Sequence, residues 1–182
     1  NLYGEIPSKI LNVGESQAEE ALIWWKEQFG SDFYLELMRH KQEDENRVNQ
    51  TLIAFAKKHN VKLIATNNTY YVNKEDANAH DILLCVKDGE KQATPIGRGR
   101  GYRYGLPNQE YYFKSGDEMK QLFADLPEAI INIQEIIDKT EPYSLYRDVL
   151  LPKFKIPDEF EVEEDKVDGG VRGENAYLRH LT

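Results

Sequence analysis

VKLIATNNTYYVNKEDANAHDILLC, residues 61–85, reads as a buried strand, a polar turn at its C-terminal end, and then a helix. In α/β folds such a turn carries chemistry, because strand ends and loops present side chains to a shared cleft. The turn here is Asn67-Asn68-Thr69-Tyr70-Tyr71, and it holds no carboxylate, imidazole or thiol. A hydrolytic metal site would want Asp, Glu or His there, to hold an ion and lower the pKa of bound water. Asn68 ligates only weakly through its amide oxygen, and Tyr70 is a poor ligand at neutral pH. The segment has the frame of a metal site without its ligands. The plain reading is that both side chains hydrogen-bond within the turn.

The flanking sequence sets this strand in an α/β pattern. Phe33 to Met38 is a strand candidate with aromatics at its start. Val48, Leu52, Phe55 and Ala56 follow the helical period over 44–59, and Lys57, Lys58 and His59 crowd the last turn, where cations suit the helix dipole. Upstream, a helix opens at Gly14 or Ser16 and ends at Gly30, while residues 5–13 read as a connector or a single helical turn. Downstream, a helix is predicted over 77–86. Residues 88–107 lack periodicity, and 110–114 form an extended piece. Ser115 with Glu118 makes a capping box for a helix through Leu122 and Phe123. Pro127 stands at the first turn of a helix running to about Thr140. The order helix, strand, helix, strand, helix predicts parallel α/β construction.

Beyond Pro142 the texture changes. Val149-Leu150-Leu151-Pro152 is apolar and expected to dock on something. Pro157 to Gly173 is acidic and expected to be a mobile or surface stretch, followed by a helix over Glu174 to Leu181. A boundary is placed near residue 140, giving regions 1–140 and 141–182.

The 182 residues suit one domain, or one domain with a further piece. The chain begins with Asn and ends inside a helical pattern, so a piece of a longer soluble protein is expected. A net charge of −9, from 32 acidic and 23 basic residues, argues against non-specific nucleic-acid binding by the whole chain, while leaving room for a local basic patch. The single Cys85 excludes an internal disulfide and a multi-cysteine zinc site, and fits a reducing compartment. No apolar run approaches the length of a membrane span.

Each remaining candidate has a plain alternative. His40 could face the strand-end cleft, although a solvated histidine is the simpler reading. His80, beside Asp81, reads as a structural helix-face histidine, and Cys85 as a buried thiol. Trp25 is expected in the core, with Trp24 at its edge. Arg98, Arg100 and Arg103, interleaved with Gly and Tyr, form the one basic patch. They are nucleic-acid-binding candidates, with Tyr102 or Tyr104 available for stacking, against the alternative of solvated or acid-paired arginines.

The stretches FYLELMRH (33–40), LIATNN (63–68), DANAHDILLCVKDG (76–89), EYYFKS (110–115), EMKQLFADLPEAIINIQEI (118–136) and LLPKF (150–154) resemble, in order and spacing, the bacterial DNA polymerase III alpha-subunit family over about residues 1–154. The resemblance implies the C-terminal part of a PHP (polymerase and histidinol phosphatase) domain, a distorted α/β barrel, followed by the lead into the palm. Family members with an intact metal cluster carry an Asp and a His at the positions of Asn68 and Tyr70. The resemblance therefore implies a degenerate, metal-free scaffold here and no catalytic residue within the chain. For the parent it implies a cytoplasmic DNA-directed DNA polymerase needing magnesium, with its palm aspartates beyond Thr182. Implied partners are the rest of the alpha subunit, a proofreading exonuclease subunit, other replisome subunits, DNA and deoxynucleotides, and no membrane. The rival readings are a stand-alone PHP-type metal phosphoesterase and a non-enzymatic α/β interaction module. A partial barrel leaves a sheet edge and a core face uncovered. Either a homodimer or a rearranged core dominated by the helices at 44–59, 76–87 and 117–140 is expected.

Overall fold

A computed structural model describes residues 1–147, 155–160 and 173–182. The expected docking segment at 149–152, the LLPKF motif and most of the acidic stretch lie outside the described residues. The chain divides into two compact units, Asn1–Glu141 and Pro142–Thr182.

In the first unit the element order is α1 (Glu5–Asn12), α2 (Glu15–Phe29), β1 (Tyr34–Leu37), α3 (Glu43–His59), β2 (Lys62–Ala65), α4 (Ala77–Asp88), α5 (Gly116–Leu122), α6 (Pro127–Ile131) and α7 (Ile133–Lys139). β1 and β2 pair in parallel, Leu35 opposite Leu63 and Leu37 opposite Ala65, with α3 as the crossover between them. Parallel neighbours need such a crossover because a tight hairpin cannot reverse the chain twice. Leu35, Leu37, Leu63 and Ala65 are all buried, so one face of the sheet meets the core. Glu36 and Lys62 point the other way and remain exposed. The sheet therefore buries one face, and β2 is the buried strand read from residues 61–66 on that face.

The core is built by Ile6, Ile10, Ala18, Ala21 and Leu22 of α1 and α2, by Val48, Leu52, Phe55 and Ala56 of α3, and by Phe123 and Ala129. Two expectations are corrected here. Within residues 5–13, Glu5–Asn12 form a full helix, because Ile6 and Ile10 lie one turn apart on the buried face and Pro7 is tolerated in the first turn. The helix at 76–87 does not dominate the core. Its one buried apolar residue is Cys85, while Ile82, Leu83 and Val86 are exposed on its outward face. Trp25 packs against the core with its ring stacked on Phe29, and Trp24 is exposed.

The helix predicted from Pro127 to Thr140 is broken at Asn132 into α6 and α7. Asn132 donates its side-chain amide to the Leu63 carbonyl at 2.8 Å, which ties the break to β2. The Ser115–Glu118 capping box is present, as the spacing predicted.

In the second unit, α8 (Glu174–Leu181) follows Gly173, whose φ of 75° lies in the left-handed region. A Cβ there would collide with the Phe160 carbonyl, so only glycine fits. Phe160 in turn meets the rings of Tyr177 and His180 at 5.2 and 5.0 Å.

Candidate functional site

The C-terminal ends of β1 and β2 open side by side, and His40 and Asn68 follow them directly. With Tyr70, Tyr104 and Tyr111 they line a cavity of about 190 Å³. Lys41, at φ 57°, turns the chain sharply after β1. That corner carries the first turn of α3 back over His40. His40 is consequently 1% exposed, where the polar run 41–45 suggested a solvated ring.

Every polar atom of His40 is held. Glu45 accepts from the His40 backbone amide at 2.5 Å through one oxygen, and its other oxygen lies 2.7 Å from Nδ1. The Asn68 backbone amide donates to Nε2 at 3.2 Å. An amide can only donate, so the ring proton sits on Nδ1 and points at Glu45. The ring stacks on Tyr111 at 4.4 Å between centroids, and the His40 carbonyl accepts from Asn108 at 2.6 Å. Burial, with Glu45 adding to it, pushes the Tyr111 phenol up to about 12, and Gln42 donates to its oxygen at 2.6 Å.

Asn68 and Tyr70 come together, with the Asn68 amide nitrogen 3.4 Å from the Tyr70 hydroxyl. Both are neutral. The imidazole lone pair beside them is spent on a backbone amide, and both Glu45 oxygens are spent on His40. Among the described residues no group of three or more His, Cys, Asp or Glu is arranged to hold a metal ion. As arranged, these donors offer a divalent cation neither a free imidazole lone pair nor a free carboxylate.

Beside the cleft, Glu110 collects three lysines. Lys41 lies at 2.7 Å, Lys74 at 2.9 Å and Lys114 at 3.9 Å. Burial alone would raise the Glu110 carboxyl, but the bonds from Lys41 and Lys74 outweigh it and bring it down to about 2. Lys114 is buried, which lowers its ammonium against the pull of Glu110. It bonds the Glu110 carbonyl and Asn67 Oδ1, and stands 4.3 Å over the Tyr112 ring. Glu45, Tyr111, Glu110 and Lys114 were all missed from sequence. Only the five-residue step from His40 to Glu45 carried a local signal.

The three arginines do not act together. Arg103 is 5% exposed and forms a two-pronged pair with Asp81, at 2.7 and 2.8 Å. It therefore leaves the nucleic-acid-binding set, because a buried guanidinium with both prongs engaged cannot reach a phosphate. Arg98 and Arg100 are exposed. His80 is ringed by Tyr70 and Tyr71, each 5.5 Å away between centroids. Among the described residues neither its Nδ1 nor the buried Tyr71 hydroxyl makes a well-formed hydrogen bond, the Tyr111 backbone being the polar group near the hydroxyl.

No family model matches the chain. A protein of Borreliella burgdorferi named DNA polymerase III subunit alpha is 38% identical over 180 residues, 98% of this chain and 14% of that protein. Nearly the whole chain is thus homologous to one segment of DNA polymerase III alpha subunits. A second alpha subunit, from Campylobacter jejuni, is 38% identical over 88% of the chain and 13% of its own length. One from Treponema pallidum is 30% identical over 99% of the chain and 14% of its own length. The chain thus spans about one seventh of the alpha subunits it matches. In this alpha-subunit homologue the strand-end cleft is a closed hydrogen-bond network, with Asn68 and Tyr70 at its mouth. No helix among the described residues is long and apolar enough to cross a membrane.

Proposed function

We propose that this chain is the C-terminal part of a degenerate PHP-type domain (1–140) and the start of a palm (141–182) in a replicative DNA polymerase alpha subunit. The whole subunit extends a primed DNA strand with deoxynucleotides, a nucleotidyl transfer in which magnesium at palm carboxylates stabilises the attacking and leaving oxygens. The segment itself supplies a scaffold and no catalytic group, and its strand-end cleft is metal-free. Its partners are the remainder of the alpha subunit, a proofreading exonuclease subunit and other replisome subunits in the cytoplasm. DNA and deoxynucleotides are partners of the whole subunit. A second copy of the chain is a further candidate where the outward face of α4, with Ile82, Leu83 and Val86, is exposed. The observation that carries this reading is 38% identity along 98% of the chain.

The cleft supports the scaffold role. A ligand set for hydrolysis would leave carboxylates and imidazoles facing an ion, whereas here they face each other. The test is metal titration and phosphoester turnover on the full chain, with manganese, zinc and a nitrophenyl phosphate as probes. Neither binding at micromolar metal nor turnover is expected. The Asn68→Asp/Tyr70→His double variant is expected to gain measurable manganese affinity. Tight metal and turnover in the parent chain, lost on Asn68→Ala, would establish the phosphoesterase rival instead.

A further inference from the structure

The chain is strongly acidic, and most cations on its first unit have found carboxylates. Arg39 pairs with Asp125, Arg103 with Asp81, Lys62 with Glu135, and Lys41 and Lys74 with Glu110. Arg47 and Arg98 are among those that have not. They line one cavity of about 480 Å³, and among the described residues neither forms an ion pair. Both are nevertheless positioned. The Arg98 guanidinium lies 5.1 Å over the Tyr3 ring and donates to the Tyr3 hydroxyl at 2.5 Å. Arg47 donates to the Ile10 carbonyl at 3.4 Å. A ring face and a carbonyl orient a guanidinium without cancelling its charge, so both heads keep their attraction for an anion. Ser8, Asn12 and Gln42 add neutral polar groups to the walls.

We propose that this cleft binds phosphate groups of a single-stranded nucleic acid. Two forked cations across a polar cavity suit phosphate oxygens, and the volume suits one nucleotide. Tyr3, on the cavity wall, is exposed, and the loop that carries Arg98 adds the exposed Tyr102 and Tyr104 outside the cavity, which offers ring faces to unpaired bases. Asp44 also lines the cavity and opposes the anion, so it sets an upper limit on affinity. The inference deepens the polymerase reading and rests on it only for the strand being DNA.

The test is fluorescence anisotropy of a labelled oligothymidylate with the full chain between about 50 and 200 mM KCl. Arg47→Gln and Arg98→Gln are each expected to weaken binding about 5–10-fold and to reduce the log–log salt slope by about 0.7. Asp44→Asn should tighten binding about 2–5-fold at low salt. Lys87→Gln, which removes an exposed charge outside the cavity, should change nothing. Circular dichroism of each variant checks that it folds. Four outcomes overturn the proposal. These are no saturable binding at 50 mM KCl, unchanged binding in both arginine variants, an equal loss in Lys87→Gln, or pyrophosphate binding as tightly as the oligonucleotide. None of these readouts involves metal or turnover, so failure here is distinguishable from failure of the polymerase reading.

Discussion

The cleft at the strand ends and a second cavity of about 200 Å³, lined by Tyr71 and by His80 of α4, are built from similar residues, yet they treat their polar atoms in opposite ways. In the first, His40, Glu45 and the Asn68 amide close on one another and no hydrogen-bonding group of the histidine is left over. In the second, the Tyr71 hydroxyl and His80 Nδ1 are buried without a well-formed hydrogen bond among the described residues. A buried ring nitrogen can therefore serve as mortar or stand at a cost, and the hydrogen-bond inventory tells the two apart.

The largest effect expected from this contrast is at Glu45. Glu45→Ala strands a buried imidazole N–H and a buried backbone amide together, and should lower unfolding stability by about 3 kcal/mol in urea titration. A loss below about 1 kcal/mol would mean that the network is not what holds the cleft. The second effect is in pH. Glu110 sits at about 2 when folded, below its usual 4.5, so it stabilises the fold above 4.5 and loses that contribution as pH falls towards 2. Urea midpoints should drop across that window in the parent chain and drop less in Glu110→Gln. The smallest effect has the opposite sign. Tyr71→Phe removes a buried hydroxyl that makes no well-formed hydrogen bond and should raise stability by about 1 kcal/mol, whereas a fall would show that the nearby Tyr111 backbone holds it.

Local signals made much of the frame legible. The aromatics opening the strand at Phe33 and Tyr34, the helical spacing of Val48, Leu52 and Phe55, the Ser115–Glu118 box and Pro127 each act within a few residues, so a linear reading catches them. What escaped was set by contacts across the chain. The Asp81–Arg103 pair joins a helix to a loop 22 residues on, and removed one arginine from the predicted patch. Lys41 and Glu110 are 69 residues apart. His40 looked solvated because Lys41, Glu43 and Asp44 beside it are solvated. The left-handed corner at Lys41 that buries it has no reliable signature in a lysine. At the strand ends, Asn68 and Tyr70 were legible as a missing ligand set, but the network filling that place was not.

Asn132 has a consequence reaching past its own helix. The Thr66 amide donates to Leu37, so even-numbered residues of β2 turn their main chain towards β1 and Leu63 turns its carbonyl outward. That carbonyl is a handhold for any passing extended peptide, and the Asn132 side-chain amide already occupies it. A residue that interrupts a helix thus acts as a bung on the ribbon's open flank, guarding a two-stranded sheet against recruiting a third strand from a stranger.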